Sequence, residues 1–201
     1  IGPAFMSGRI ADIAINPSNE NNWYVAVGSG GTWKTENAGT TWIPLTDDES
    51  FYSTGCITID PNNHDKIWLG TGENVGGRHV GIGHGIFVSH DSGDTWTDMG
   101  LNESEHISKI IVHPDNSNII WVASQGPLWN SGGDRGLFKS IDGGKTWSNK
   151  LYVNEWTGVT DLLIDPKNPD VLYAATWQRH RNVAALIAVS YTHLRAHETV
   201  V

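Results

Sequence analysis

An eight-residue motif that occurs three times constrains this chain more than any other feature of its sequence. The motif follows the frame Ser/Thr-x-Asp/Asn-x-Gly-x-Thr-Trp, and its copies end at Trp42, Trp96 and Trp147, which are 54 and 51 residues apart. Catalytic residues are rarely needed in triplicate at an even spacing, whereas a unit that stacks on copies of itself needs its turn in every copy. The motif therefore indicates a repeat protein.

A proline marks the same period. The prolines are Pro17, Pro61, Pro114 and Pro166. Apolar residues stand four and two positions before each of them, and an aromatic residue stands seven positions after it. Such alternation indicates a strand with one apolar face, and the aromatic residue begins a second strand. A third predicted strand precedes each eight-residue motif and a fourth carries its tryptophan, so each unit has four strands. We predict an all-β protein, a β-propeller of four-stranded antiparallel blades with three full blades and part of a fourth. A sandwich does not repeat so regularly.

Turn chemistry explains the residue types within the motif. The Asp or Asn side chain accepts backbone N–H groups across its own turn, the glycine adopts a positive φ angle, and the tryptophan is expected to pack over the hairpin. An EF-hand is excluded, because its alternating ligands and its closing glutamate are missing. The predicted structural residues are Asn37, Gly39, Trp42, Asp91, Gly93, Trp96, Asp142, Gly144 and Trp147.

The repeated frame resembles the Asp-box, or bacterial neuraminidase (BNR), repeat of sialidases, some endoglucanases and sortilin-type propellers. The opening "GPAFMSGRIADIAINP", the strand end "GTGE" and the run "QRHR" are most similar to large exported bacterial proteins grouped with the sortilin-type propellers. Members of that group are often labelled glycosyl hydrolases. The resemblance implies a propeller, but it is shared by enzymes and binding proteins, so it does not choose between them.

The blades are predicted at about residues 5–45, 53–99, 106–150 and 158–188, together a partial propeller over 1–188. A fourth motif is expected to end between residues 191 and 201, where the chain instead reads "VSYTHLRAHETVV". This run resembles translated sequencing adapter, of the kind found in metagenomic gene models. We therefore expect 189–201 to be a non-native tail and the rest of the propeller to be missing from this fragment.

Composition excludes several classes of function. The formal net charge of −9 argues against a nucleic-acid partner, which requires clustered basic residues. No apolar run is long enough to span a membrane, and no signal peptide is present in the fragment. The single cysteine, Cys56, is expected to be a small buried hydrophobe. No cofactor is indicated, and a metal trio of Glu73, His79 and His84 is a weak alternative because a glycine-rich loop fixes no ligand geometry.

The loops that join second to third strands are long and glycine-rich in the second and third blades, and such loops on a rigid scaffold commonly carry function. Convergent arginines suit an anion, and tryptophans stack on sugar rings or peptide side chains. In the alternative interpretation, the arginines bond loop carbonyls and the tryptophans cover blade edges. The predicted ligand-binding residues are Arg78, Arg135, Arg179, Trp129, Trp156 and Trp177.

Two hypotheses for function follow. The first is an exported, non-catalytic sortilin-type propeller that binds a peptide or a glycan, and is secreted, periplasmic or on the cell surface. The second is a glycoside hydrolase, sialidase-like or endoglucanase-like, with two carboxylates on the face opposite the Asp boxes. The catalytic candidates are Glu73, Asp47 and Glu155. The arginine-Ile-Pro signature typical of sialidases is missing.

Overall fold

The computed structural model describes residues 8–75, 80–182 and 186–197, the last range by its backbone alone. Each of the first three sheets has four antiparallel strands that neighbour one another in chain order. The strands of the first two sheets are β1 (Ile10–Ile15), β2 (Trp23–Val27), β3 (Gly31–Thr35), β4 (Ile43–Pro44), β5 (Thr54–Asp60), β6 (Asn63–Thr71), β7 (Ile86–Ser89) and β8 (Thr97–Asp98).

The third sheet again has four strands, and the fourth sheet has three. Their strands are β9 (Ile107–His113), β10 (Asn116–Ser124), β11 (Gly136–Ser140), β12 (Ser148–Leu151), β13 (Thr157–Asp165), β14 (Asn168–Arg181) and β15 (Leu186–His197). The backbone of β15 pairs antiparallel with β14. Part of β15 falls in the segment expected to be a non-native tail, and that origin stays a prediction.

The sheets stack face to face as the blades of a β-propeller, which confirms the predicted fold. Their first strands contact one another in chain order, β1 with β5, β5 with β9, and β9 with β13. These strands therefore form the inner side of the array. Three apolar clusters fill the spaces between successive sheets, so each pair of sheets encloses one layer of the core. Within the described ranges, no helix is long and apolar enough to cross a membrane.

The three repeated turns join the third strand of each sheet to the fourth. In the third turn, the Ser140 hydroxyl donates to the Asp142 carboxylate at 2.7 Å and accepts the Gly144 amide at 2.8 Å. The same carboxylate accepts the amide and the hydroxyl of Thr146. These hydrogen bonds, the Thr146 hydroxyl first, lower the pKa of Asp142 to about 2. Equivalent bonds occur in the other two turns.

The tryptophans that close the second and third turns reach beyond their own hairpins. The indole N–H of Trp96 donates to the carbonyl of Leu45 at 3.3 Å, and that of Trp147 donates to the carbonyl of Met99 at 2.7 Å. Both acceptors lie just after the fourth strand of the preceding sheet. The prediction that each tryptophan packs over its hairpin is therefore incomplete, because these two also join neighbouring sheets.

Candidate functional site

The loops of each sheet divide between two faces of the array. The three repeated turns and the loops that join first to second strands lie on one face, here called the lower face. The loops that join second to third strands, and those that join one sheet to the next, lie on the upper face. The predicted ligand-binding and catalytic residues that the structure describes fall on upper-face loops or strand ends.

One position of the repeated unit places charged side chains on the first strands, in the half of the array nearer the upper face. Five residues before the prolines stand Asp12, Cys56, Lys109 and Asp161. A shift of register just before this position interrupts the pairing of the first strand in every sheet. Such bulges re-aim a side chain and are frequent beside active sites. The bulge recurs in every sheet and is therefore a feature of the repeated unit.

A cavity of about 350 Å³ opens at this level, a size suited to a ligand site. Its lining includes two basic and three acidic residues, and the full set is Arg9, Ile10, Ala11, Asp12, Gly55, Glu73, Asn74, Val75, Ser108, Lys109, Thr160 and Asp161. These residues come from the inner strands of all four sheets and from the loop after β6. We call this space the central cavity.

The two inner-strand carboxylates of the central cavity differ in their surroundings. Asp12 accepts the amide of Ile57 at 3.2 Å and forms an ion pair with Lys109 at 3.6 Å. Asp161 is exposed, and its carboxylate accepts the amide of Leu162 at 2.8 Å. Among the described residues, no ion pair within 4.0 Å involves Asp161. Asp161 is therefore the carboxylate of the pair with room for a ligand.

Glu73, a catalytic candidate from the sequence, lines the same cavity but is held on several sides. The side chain is buried, and one guanidinium nitrogen of Arg9 lies 2.6 Å from both of its carboxylate oxygens. The amide of Gly81 donates to it at 3.0 Å. A Cβ atom placed on Gly28 would lie 2.0 Å from the carboxylate. These contacts suit a structural tie between the first two sheets better than proton transfer.

The other two catalytic candidates lie elsewhere. Asp47 is exposed in the loop after β4 and lines a separate depression of about 220 Å³ with Tyr52. Glu155 is exposed in the loop between β12 and β13, where its carbonyl accepts the amide of Gly132. Neither residue lines the central cavity. The structure therefore does not bring the three predicted carboxylates together, and their catalytic role stays an untested prediction.

The two predicted arginines that the structure describes are both held by backbone carbonyls. Arg135 is buried and donates to backbone carbonyls, which leaves its side chain no exposed donor for a ligand. Arg179 is buried, donates to the carbonyl of Val75 at 2.9 Å and lies over the ring of Trp177 at 5.4 Å. Burial, and then Arg135, lowers the pKa of Arg179 to about 10. Arg78 lies outside the described residues, as does His79 of the metal alternative.

Aromatic side chains remain accessible on the upper loops of the third and fourth sheets. Trp129 and Tyr152 are 40% and 59% exposed. Trp156 is partly buried and stacks on His180, with ring centroids 4.1 Å apart. We call these four residues the aromatic surface. Their flat, largely uncharged faces suit the apolar faces of sugar rings better than they suit an anion.

A buried histidine lies close to Glu73 and to the two buried arginines. His106 is 1% exposed, hydrogen-bonds the carbonyl of Glu73, and has no partner for Nδ1. Burial, followed by the charge of Arg179, lowers its pKa to about 3. The imidazole of His106 therefore stays neutral in the folded protein from neutral pH down to about pH 3. In the unfolded chain the same side chain takes up a proton near its usual pKa of about 6.5.

We expect His106 to make the fold sensitive to mild acid. Below its usual pKa of about 6.5 the unfolded chain takes up a proton that the folded protein refuses, so stability falls as pH falls toward 3. From pH 7.5 to pH 5 the loss is about 2 kcal/mol. Urea unfolding of His106→Gln should show a smaller loss over that interval, and the exposed His90→Gln should keep the wild-type loss. Equal slopes for wild type and His106→Gln would contradict the assignment.

Two remaining expectations concern cysteine and metal. Cys56 is a buried free thiol whose pKa burial raises to about 12, so it is packed as the sequence predicted and is a poor nucleophile. Within 8–75 and 80–182, no group of three or more His, Cys, Asp or Glu side chains is placed to hold a metal ion.

Sequence reasoning missed Asp12, Lys109 and Asp161. Their signal was present, because all three interrupt apolar strands at the same repeat position, where Cys56 stands in the second unit. Interpreted alone, each is an ordinary charge at a strand edge. Only the stacking of the four first strands brings the three residues to one cavity.

The chain is similar to curated xyloglucanases. It is 27% identical over 183 residues to the oligoxyloglucan-reducing end-specific xyloglucanase of Emericella nidulans. That alignment covers 83% of this chain and 21% of the Emericella protein. It is 28% identical over 170 residues to a xyloglucanase of a Paenibacillus species, and that alignment covers 77% of this chain and 16% of the Paenibacillus protein. The chain thus spans about a fifth of the length of these relatives.

A solved structure shares the fold. The crystal structure of the Niastella koreensis GH74 enzyme matches with a TM-score of 0.67 and 22% identity, over 93% of this chain and 28% of that one. No protein-family model matches the chain.

Proposed function

We propose that this chain is part of a glycoside hydrolase that cleaves a β-glucan of the xyloglucan class in the central cavity. One observation carries the proposal: Asp12 and Asp161 come from the first and last inner strands and line one cavity, in a chain whose similar proteins are xyloglucanases. The comparisons support the hydrolase hypothesis better than the non-catalytic sortilin-type hypothesis.

The proposed reaction needs two carboxyl groups. One protonates the oxygen of the glycosidic bond, and the other attacks the sugar or activates a water molecule. The exposed carboxylate of Asp161 is open to a substrate. Asp12 is held toward the cavity by Lys109 and by the amide of Ile57, so its position is set before a substrate arrives. We assign the pair to catalysis without dividing the two roles between its members.

The remaining features have supporting roles. We propose that the aromatic surface stacks on sugar units that extend beyond the cavity. The three lower-face turns are, in this proposal, Asp boxes of the BNR type that stabilise the blades. A polysaccharide substrate lies outside the cell, so we place the protein there as an exported or cell-surface enzyme with a carbohydrate as its partner.

A ligand-binding propeller is the second candidate function. It is favoured by the exposed rings of Trp129 and Tyr152 on the upper loops. A binding protein needs the aromatic surface but not the exposed carboxylate of Asp161.

Incubation of the protein with tamarind xyloglucan and with carboxymethyl cellulose separates the two candidates. For the hydrolase we expect new reducing ends and shorter oligosaccharides from xyloglucan. Retention of the protein on immobilised xyloglucan, without any new reducing ends, would instead support the binding propeller. If the polysaccharide is neither retained nor cleaved, the proposed function is wrong.

A further inference from the structure

Arg135 lies at the point where two upper-face loops meet, immediately before β11. Its side chain is 2% exposed and is among the largest fully buried side chains of the described residues. Among the described residues, the guanidinium donates to backbone carbonyls. The acceptors are Gln125 at 2.6 Å, Asn130 at 3.1 Å, Gly132 at 3.1 Å, Trp156 at 3.4 Å and, at short range, Pro127.

Arginine is the side chain that suits this arrangement. Its planar fork offers five N–H donors in fixed directions, whereas lysine offers three donors from one point. Burial lowers the pKa of Arg135 to about 10, which leaves it protonated at neutral pH. The carbonyls therefore take the place of water around a buried cation, as burial of a charge requires.

The loop backbone is shaped around this side chain. Gly126 and Gly132 have φ angles of 69° and 75°, a region that other residues resist. A Cβ atom on Gly126 would lie 2.8 Å from Nε of Arg135. Glycine is thus needed at position 126 for the loop to close on the guanidinium.

The carbonyls that Arg135 holds belong to the segments that carry the aromatic surface. Trp129 stands between the acceptors Pro127 and Asn130, and Trp156 is itself an acceptor. Backbone bonds reinforce the junction, since the amide of Gly132 donates to the carbonyl of Glu155 at 2.8 Å.

We propose that Arg135 is the positioning residue of the aromatic surface, and that it sets how tightly the protein holds the part of a glycan outside the central cavity. Arg135 touches no substrate, and it acts by fixing the loops of Trp129 and Trp156. The inference rests on the proposed function for its ligand class. It differs from the anion-binding role predicted for this arginine from the sequence.

The test compares Arg135→Lys with Lys145→Met, an exposed control on the lower face, in steady-state hydrolysis of xyloglucan oligosaccharides. We expect Arg135→Lys to raise KM about tenfold, equivalent to 1.4 kcal/mol, with kcat within twofold of wild type. The control should change neither constant. In a double-mutant cycle, Trp129→Ala should add little in the Arg135→Lys background, because both substitutions remove the same contact.

Amide hydrogen exchange supplies a readout that does not depend on a ligand. Arg135→Lys should speed exchange at Gly132 while β6, in the second sheet, keeps wild-type protection, which also shows that the variant is folded. Unchanged exchange at Gly132, or KM effects of the two substitutions that add in full, would overturn the positioning role. Failure of the wild type to bind or cleave the oligosaccharide would overturn the proposed function and with it the ligand part of this inference. The exchange result still decides whether Arg135 holds the loops.

Discussion

Asp161→Asn is expected to lower kcat on xyloglucan by about 10²- to 10⁴-fold, the usual contribution of a general acid or base. The amide cannot carry a proton to the leaving oxygen and cannot attack the sugar. Stability should stay within about 0.5 kcal/mol of wild type, because Asp161 is exposed and the substituted side chain can still accept the amide of Leu162. Initial rates of reducing-end release measure the effect.

The matched control is Asp170→Asn, the same substitution at an exposed site in β14 on the lower side of the same sheet. It should leave kcat unchanged. If Asp161→Asn cleaves xyloglucan at the wild-type rate, catalysis does not use the central cavity as proposed. Asp12→Asn gives a second check, because removal of either member of a catalytic pair should abolish most of the activity.

Trp68→Ala should cost about 3–5 kcal/mol in the free energy of unfolding, the range for a large buried aromatic residue. Trp68 is fully buried in the cluster between the second and third sheets. Its ring also meets the third repeated turn, since a Cβ atom on Gly144 would lie 2.6 Å from it. The substitution therefore opens a cavity and removes the support of that turn.

Urea unfolding measures this loss, with Trp129→Ala as the control because Trp129 is 40% exposed. The control should cost less than about 1 kcal/mol. Trp68→Phe should fall closer to wild type than Trp68→Ala, because it keeps most of the ring and removes a buried N–H that has no partner. A loss below about 1 kcal/mol for Trp68→Ala would show that the sheets do not pack around this ring.

Much of the site was beyond sequence reasoning. The sequence left two roles open for Arg135, anion binding and bonding to loop carbonyls, and in the structure its donors are used by the carbonyls of Gln125 and Trp156. The sequence allowed Glu73 as a catalytic acid, but its carboxylate contacts Arg9, which lies 64 positions away in the chain. In both cases the partner is decided by which loops meet at the upper face, and no local pattern encodes that meeting.

The sequence by itself determined the repeat, the four-stranded unit and the hydrogen-bonded turns. These features are local: Ser140, Asp142, Gly144 and Thr146 satisfy one another within seven residues, and alternation along one strand defines its apolar face. The tertiary structure alone decided that Asp12, Lys109 and Asp161 share a cavity, that Trp147 bonds to the preceding sheet, and that Arg135 is enclosed. The reason is physical, because these contacts join residues that are distant in the chain and depend on the packing of whole sheets.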